Sequence, residues 1–485
     1  MGPVPKLDER ARACARRLTE ADSVLLASHI DADGLTSAAI ASTALARAAI
    51  PHEVVFKNQL DETEIASIAA RPHETVLFTD FGSGQLDVIS EHERAGDFEP
   101  VIADHHQPAD ADTEFHLNPL LEGVDGASEL SGAGASYLLA RALAAEGDTT
   151  GPTDVSAGAE GSADNRDLAA LAVVGAVGDM QAIDGELVGA NRAIVEEGVD
   201  AGVLEEGTDL ALYGKQTRPL PKLLEYASEV RIPGISNDEQ GAVAFLEALD
   251  VDLKADGSWR CWVDLSDAEK QTVASALLQR ALERGVPPGK AESLIGTTYT
   301  LTAEPRGTEL RDASEFSTLL NATARYERAD VGLAVCVGNR GEELDRARTL
   351  LENHRRNLSE GLQQVKRSGV ERADNLQWFD AGGEIRETIV GIVAGMALGI
   401  DGVDPNLPIV AFARKNDEET KVSGRGTSRL VGQGLDLSAV MTEASRAVGG
   451  DGGGHDVAAG ATIPAGTEEQ FVDHADRIID TQLNQ

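Results

Sequence analysis

Short aliphatic runs of strand length, each closed by a turn carrying Asp or His, alternate with Ala-rich helical stretches. That alternation predicts an α/β fold on a mostly parallel N-terminal sheet. Three segments carry the prediction. SVLLAS (23–28) runs into HIDADG, TVLFT (75–79) runs into Asp80 and FGSG, and EPVIA (99–103) runs into Asp104-His105-His106. Such sheets bind ligands beyond the carboxyl ends of their strands, where these acidic and histidine clusters fall.

The remaining elements are taken in chain order. Residues 8–20 have helical periodicity, and TSAAIASTALARAAI (36–50) is an Ala-rich helix after the first strand. EVVFK (53–57) is a further strand. SGAGASYLLARALAA (131–145) is a helix, and 146–166 is a Gly/Ser/Thr/Asp tract that reads as a solvated surface insertion. A helix resumes at DLAALAVVGAVGDMQ (167–181), and a domain boundary is expected near 205. Residues 206–236 turn polar, and 237–345 mix amphipathic helices with strand-like IGTTYTL (295–301) and VGLAVCVG (331–338). A charged helix over 341–368 leads into the last region, with strands PIVAFAR and KVSGRG and a glycine run at 449–454. The expected domains are 1–205, a mixed middle region 206–345, and a C-terminal α/β domain 346–485.

Composition bounds the function. The chain has 485 residues, 42% of them apolar, which is enough for real cores and excludes a largely disordered chain. No apolar stretch approaches the roughly 18 residues of a membrane helix, so no membrane association is expected. The charged N-terminus lacks a signal core, and Cys14, Cys261 and Cys336 stand far apart, which fits a reducing cytoplasm. Acids number 82 and bases 42, a net charge of −40. A basic nucleic-acid binder is excluded, unless the acidity belongs to a salt-loaded cytoplasm. At about 1 M salt the screening length is ~3 Å, and such charge no longer repels itself strongly. Low Lys and only 4% aromatics favour the high-salt reading. Net charge then reports where the protein works and little of what it binds.

Four clusters carry the chemistry: His29-Ile30-Asp31-Ala32-Asp33-Gly34, Asp80, Asp104-His105-His106, and Asp179. A lone Asp after a strand is usually a turn former or helix cap. Several carboxylates converging with histidines repel one another unless cations compensate. Mixed His and carboxylate donors suit Mn²⁺, Co²⁺ or Zn²⁺ better than Mg²⁺. Two such ions can hold a phosphate, activate water and stabilise a leaving oxygen. In the C-terminal region, Gly452, Gly453 and Gly454 allow close backbone approach to a phosphate. A following helix N-terminus is expected to add its dipole, His455 a hydrogen bond, and Arg425 a planar fork. His52, His73, His92, His116, His354 and His474 stand singly in polar surroundings and read as surface residues. Arg218, Arg311, Asp312 and Asn321 gain no role from chemistry alone.

SHIDADGLTSAAI, FTDFGSGQ, ADHHQP and VGAVGDMQ resemble motifs I to IV of the DHH phosphoesterase superfamily. GGDGGGHD (449–456) resembles the signature of its DHH-associated C-terminal domain. TRPLPKLLEYASEVRIPGIS and RDASEFSTLLNATARYERADVGLAV resemble the archaeal RecJ-like branch, which includes nucleases associated with the GINS complex. The resemblance runs over nearly the whole chain. It implies His29 and Asp31 on one metal, Asp33, His105 and Asp179 on a second, and Asp80 bridging both. His106 would face the scissile phosphate, with Asp104 orienting a neighbouring histidine. Arg425, Gly452, Gly453, Gly454 and His455 would bind substrate. Every motif position is filled, unlike the inactive relatives of eukaryotic replicative helicases. The implied activity is a two-metal phosphodiesterase, a single-strand exonuclease of DNA replication or repair. Mn²⁺ is favoured, with Mg²⁺ or Co²⁺ as alternatives. The implied partners are single-stranded nucleic acid, DNA before RNA, and GINS. A phosphodiesterase for short oligonucleotides or cyclic dinucleotides, and a GINS-binding scaffold, are the competing readings. The acidity and the 146–166 insertion look haloarchaeal.

Overall fold

The computed structural model describes residues 2–147, 164–227, 230–400 and 402–483. Most of the expected surface insertion, 148–163, lies outside them. Met1–Arg348 form one compact unit and Thr349–Gln485 a second.

The first unit opens with α1 (Asp8–Thr19), β1 (Val24–His29), α2 (Ala32–Arg47), β2 (His52–Lys57), α3 (Glu62–Ala69) and β3 (Thr75–Thr79). It continues with α4 (Leu86–Ala95), β4 (Glu99–Ala103), β5 (His116–Leu117) and α5 (Gly132–Gly147). The five strands are all parallel, in the order β2-β1-β3-β4-β5. Helices cover the sheet, so β1 and β3 are buried nearly throughout, and their sequences run continuously aliphatic instead of alternating. Leu25, Ala27, Val76, Phe78 and Ile102 pack with Ile65 and Ile68 of α3 and Leu86 and Ile89 of α4. The alanines of α2 let it lie close against α5 and against α6 (Ala169–Gly178). The strand order reverses between β1 and β3, which opens a crevice at their carboxyl ends.

The chain continues through α7 (Gly189–Asp200), β6 (Leu204–Leu210), α8 (Leu220–Glu225), α9 (Glu239–Glu247), β7 (Lys254–Ala255) and β8 (Ser258–Trp259). Then come α10 (Asp267–Glu283), α11 (Pro288–Glu292), β9 (Ile295–Leu301), α12 (Ala313–Arg325), α13 (Ala329–Cys336) and α14 (Glu342–Ser368). β6 pairs antiparallel with β9, so position 205 lies within a paired strand. Leu220, Leu223, Phe245, Trp262, Val273 and Leu277 form a core of their own. Ser266 and Glu269 start α10 with a reciprocal capping box.

The strand-like reading of VGLAVCVG is overturned: the segment forms α13. A short aliphatic run is ambiguous by periodicity, and tertiary packing decides. Val331, Gly332, Val335 and Cys336 are buried, and a Cβ at Gly332 would stand 2.7 Å from Leu35 of α2.

The second unit holds β10 (Glu371–Arg372), β11 (Gln377–Asp380), α15 (Glu387–Ala397), β12 (Ile409–Arg414), β13 (Glu419–Arg425) and α16 (Ser428–Val431). α17 (Leu437–Ala447), β14 (Asp451–Gly454), β15 (Ala458–Pro464) and α18 (Glu468–Leu483) complete it. Its six-stranded sheet has the order β10-β11-β12-β13-β15-β14, with only β11 and β12 parallel. Alternate residues face opposite ways. Val410, Phe412, Val422 and Ile463 pack with residues of α17 and α18, while Ile409, Ala411 and Ala413 pack with residues of α15.

The glycine run differs from expectation. It forms β14, an edge strand hairpinned to β15, so the next element is a strand and not a helix. No helix dipole therefore assists at Gly454. The close approach of Gly452 to Ala461, where a Cβ would come within 2.6 Å of the alanine Cβ, explains why glycine is used as a strand residue here.

His116 also departs from its expected surface place. It is 4% exposed on β5, with Nε2 2.9 Å from Ser83 Oγ. Burial keeps the ring neutral and lowers its pKa to about 4. Below pH 6.5 the unfolded chain takes up a proton that the folded protein refuses until about pH 4. Stability therefore falls as pH drops through that window. His116→Gln should flatten this part of the pH–stability curve in thermal melts. An unchanged slope would contradict the buried neutral ring.

No helix among the described residues is long and apolar enough to cross a membrane.

Candidate metal centre

The site is assembled where the β1 and β3 ends diverge. β1 delivers His29, and the chain turns at once into α2, with Asp31 as its N-cap accepting from Gly34 N–H at 3.0 Å. The turn is tight: a Cβ on Gly34 would lie 2.2 Å from the His29 carbonyl oxygen. Asp33, in the first turn of α2, points into the protein. Its carboxylate accepts N–H groups from Gly132 at 2.7 Å and Ala133 at 3.0 Å, at the start of α5. Asp80 follows β3 in left-handed backbone conformation, φ +60°, a cost that tends to be borne where a side chain must be aimed. Its N–H donates to Ala103 O at the end of β4, which fixes its height at the carboxyl end of the sheet.

Asp80 is 2% exposed, and its two oxygens face two different groups. Oδ2 lies 3.5 Å from His29 Nδ1, which is 3.2 Å from Asp31 Oδ1. Oδ1 lies 3.3 Å from His105 Nε2, which is 3.7 Å from Asp179 and 3.8 Å from Asp33. Donor atoms of His29, Asp31 and Asp80 form one cluster within 4.8 Å, and those of Asp33, His105 and Asp179 another. Asp80 Oδ1 is buried and accepts no hydrogen bond. A buried orphan carboxylate oxygen among imidazoles and carboxylates has the chemistry of a cation ligand.

Electrostatics point the same way. Burial opposes charge on His29, but Asp31 and Asp80 prevail and push its pKa up to about 11. His105 is raised similarly: burial opposes its charge, and Asp80 leads the carboxylates that outweigh it. Burial, the field of Asp80 and the weaker field of Asp31 push Asp179 up to about 6, against the pull of His105. Burial also raises Asp80, yet its neighbouring histidines bring it below the ordinary range. The cluster thus holds more negative charge than its histidines neutralise, a deficit that cations can fill.

A second layer holds these groups. His105 Nδ1 donates to Gly126 O at 2.7 Å, so Nε2 is the nitrogen turned toward Asp80 and would ligate a cation once its proton is displaced. Gln181 donates to Gly126 O and to Asp179 Oδ2, both at 2.9 Å, and Asn191 donates to Gln181. Asp104 is fully buried and accepts from Ser83 N–H, His105 N–H and His106 Nδ1, the last at 2.8 Å. That contact raises the His106 pKa and turns its Nε2 edge away from Asp104, on a side chain 55% exposed. Asn118 spans Ser83 Oγ and His106 O from below.

Several of these residues escaped the sequence reading. Gln181 sits in a quoted motif but signals nothing alone, Asn191 follows it in the next helix without a motif of its own, and Gly126 acts across a long sequence distance. Asn321, left without a role, accepts Ala32 N–H at 3.1 Å and so steadies the α2 turn from α12. Asp312 caps α12 and pairs with Lys215 at 3.4 Å, and Arg311 donates to the carbonyls of Thr302 and Glu304. Arg218 stacks on Tyr213 and Tyr226.

The residues expected to bind substrate lie in the second unit. Arg425 ends β13 opposite Ala458, and Gly454 pairs with Ala459, so Arg425, Gly454 and His455 gather at one end of the sheet. Arg425 donates to Gly424 O, and its guanidinium lies against α15, where a Cβ at Gly391 would be 2.5 Å from Nη2. His455 is exposed.

Comparison with known proteins matches residues 23–171 to the N-terminal domain of the DHH family. Residues 212–295 match a DHH-CID domain and 376–481 a DHHA1 domain. The chain carries DHH, DHH-CID and DHHA1 domains. An uncharacterized protein of Methanocaldococcus jannaschii is 28% identical over 463 residues, covering 94% of this DHH chain and 93% of its own length. RecJ from Thermus thermophilus, solved in complex with Mn²⁺, superposes with a TM-score of 0.60 at 17% identity. The match covers 99% of the chain, which spans only 55% of that RecJ. CDC45 from Entamoeba histolytica superposes with a TM-score of 0.66 at 12% identity, covering 98% and 99% of the two chains. The fold is RecJ-like, with a parallel-sheet DHH domain and a DHHA1 domain.

Proposed function

We propose that this DHH protein is a two-metal phosphodiesterase that degrades single-stranded nucleic acid, DNA before RNA, from an end, in replication or repair. The observation that carries the reading is Asp80, whose two oxygens face two separate donor clusters. His29, Asp31 and Asp80 would hold one divalent cation, and Asp33, Asp80, His105 and Asp179 the other. Bound there, the ions would supply Lewis acidity for phosphate and water near neutral pH.

The chain's own residues do the rest. The buried Asp104 holds His106 by Nδ1, so that the ring can offer a hydrogen bond or a proton through Nε2 to a phosphate oxygen. Gln181 keeps Asp179 and the Gly126 carbonyl in register, and Gly126 in turn sets the His105 tautomer. Arg425, His455 and the N–H groups of β14 would hold the strand in the second unit.

The test is incubation of the whole protein with end-labelled single-stranded DNA and RNA in Mn²⁺, Mg²⁺ or chelator, at about 1 M KCl. Short products released from one end support the reading. No cleavage with any ion overturns it. Cleavage confined to very short substrates would favour a small-substrate phosphodiesterase. The GINS partnership implied by the branch resemblance is tested by co-purification. Imidazole binds Mg²⁺ poorly, so Mn²⁺ or Co²⁺ should give faster cleavage than Mg²⁺ at equal concentration. Equal rates would contradict His29 and His105 as ligands.

A further inference from the structure

Lys421 lies on β13 at intermediate exposure, and it makes no hydrogen bond and no ion pair among the described residues. In a chain with 82 acids for 42 bases, a half-buried cation left unpaired calls for an explanation. Burial lowers its pKa first, then Lys415 and Arg425, against the pull of Glu387. An anion seated beside it would relieve all three.

Strand alternation puts Lys421, Ser423 and Arg425 on one face of β13, opposite Thr462, Gly460 and Ala458 of β15. The two long arms then part. Arg425 leans over Gly391 and Gly395 of α15. Lys421 leans the other way: a Cβ on Gly460 would stand 3.6 Å from its Nζ and 3.8 Å from its Cε. Gly460 is the register partner of Gly453, the middle of the glycine run. At Gly453 a Cβ would meet only the Thr442 hydroxyl within 4 Å, and at Gly460 its nearest neighbours would be the Val422 carbonyl oxygen and the Lys421 arm. The paired glycines are thus a floor without side chains, with one ammonium above it and an edge strand beside it. An edge strand leaves alternate N–H groups without ladder partners.

We propose that Lys421 is the cation of the glycine run, holding a phosphodiester over Gly453 and Gly460, while Arg425 serves a separate position on the strand. The assignment rests on the strand-degrading reading above. A single phosphate contact on a single strand contributes about 0.7 to the slope of log affinity against log salt, equivalent to about fivefold at roughly 0.1 M.

The experiment is fluorescence anisotropy of a labelled oligothymidylate with the full chain in chelator, over the KCl range in which circular dichroism is unchanged. Lys421→Gln should weaken binding by about fivefold at the low-salt end, lower the slope by about 0.7, and leave Mn²⁺ stoichiometry and melting unchanged. Lys421→Arg should restore the slope. Wild-type affinity and slope in Lys421→Gln would overturn the assignment while leaving the strand reading intact. Failure of the wild type itself to bind the strand would overturn both.

Discussion

Asp80→Ala should lower turnover on single-stranded DNA by about 10³-fold or more and abolish tight binding of at least one Mn²⁺. The size follows from the several kcal/mol that metal coordination contributes to a phosphoryl transition state, at about 1.4 kcal/mol per factor of ten. Among the described residues, Asp80 alone has oxygens that face both donor clusters, and its Oδ1 accepts no hydrogen bond. Removing it leaves His29 with Asp31, and His105 with Asp33 and Asp179, as two disconnected and weaker sets. Asp87→Ala, on the exposed side of α4, is the control and should change neither property. Near-normal cleavage by Asp80→Ala would contradict the ligand assignment.

The second large effect comes from a residue without a functional group. A Cβ on Gly132 would lie 2.4 Å from Asp80 Oδ1 and 2.7 Å from Asp80 Cβ. Neither can yield cheaply, because Gly132 N–H also donates to Asp33 and Asp80 is locked in left-handed backbone. Gly132→Ala should therefore displace the bridging carboxylate. A displacement of about 1 Å at a catalytic centre costs roughly 10²-fold in rate, and disturbed support costs about 10–100-fold in metal affinity. The overpacking should cost ~1–3 kcal/mol of stability. Mn²⁺ calorimetry with cleavage kinetics on the folded variant checks this. Unchanged metal affinity would show that the α5 terminus does not set the Asp80 position.

These two residues mark what the sequence can disclose. Asp80 is legible because an aspartate closing an aliphatic strand, among other such strands, is an unusual coincidence of type and place. The same holds for Asp104-His105-His106 and HIDADG. Gly132 is not legible, because its role is a distance to a side chain 52 positions earlier in the chain, and nothing local records it. Gly126 is hidden likewise, since it acts through bonds to His105 and Gln181 made only when distant segments meet. VGLAVCVG misled because four to eight aliphatic residues fit a buried strand or a buried helix equally, and packing on α2 decided. The glycine run misled because phosphate-cradling glycines are expected to lead into a helix, whereas here they permit close packing of an edge strand that leads into β15. His116 misled because its buried partner Ser83, which also accepts from Asn118, is a polar residue that looks like surface in sequence.

The most direct test of the central claim is anomalous diffraction from crystals of the whole protein soaked in Mn²⁺. Two peaks about 3.5–4 Å apart are expected. One should be bounded by His29 and Asp31 and the other by Asp33, His105 and Asp179, with Asp80 touching both. A single peak, or two peaks that Asp80 does not join, would contradict it.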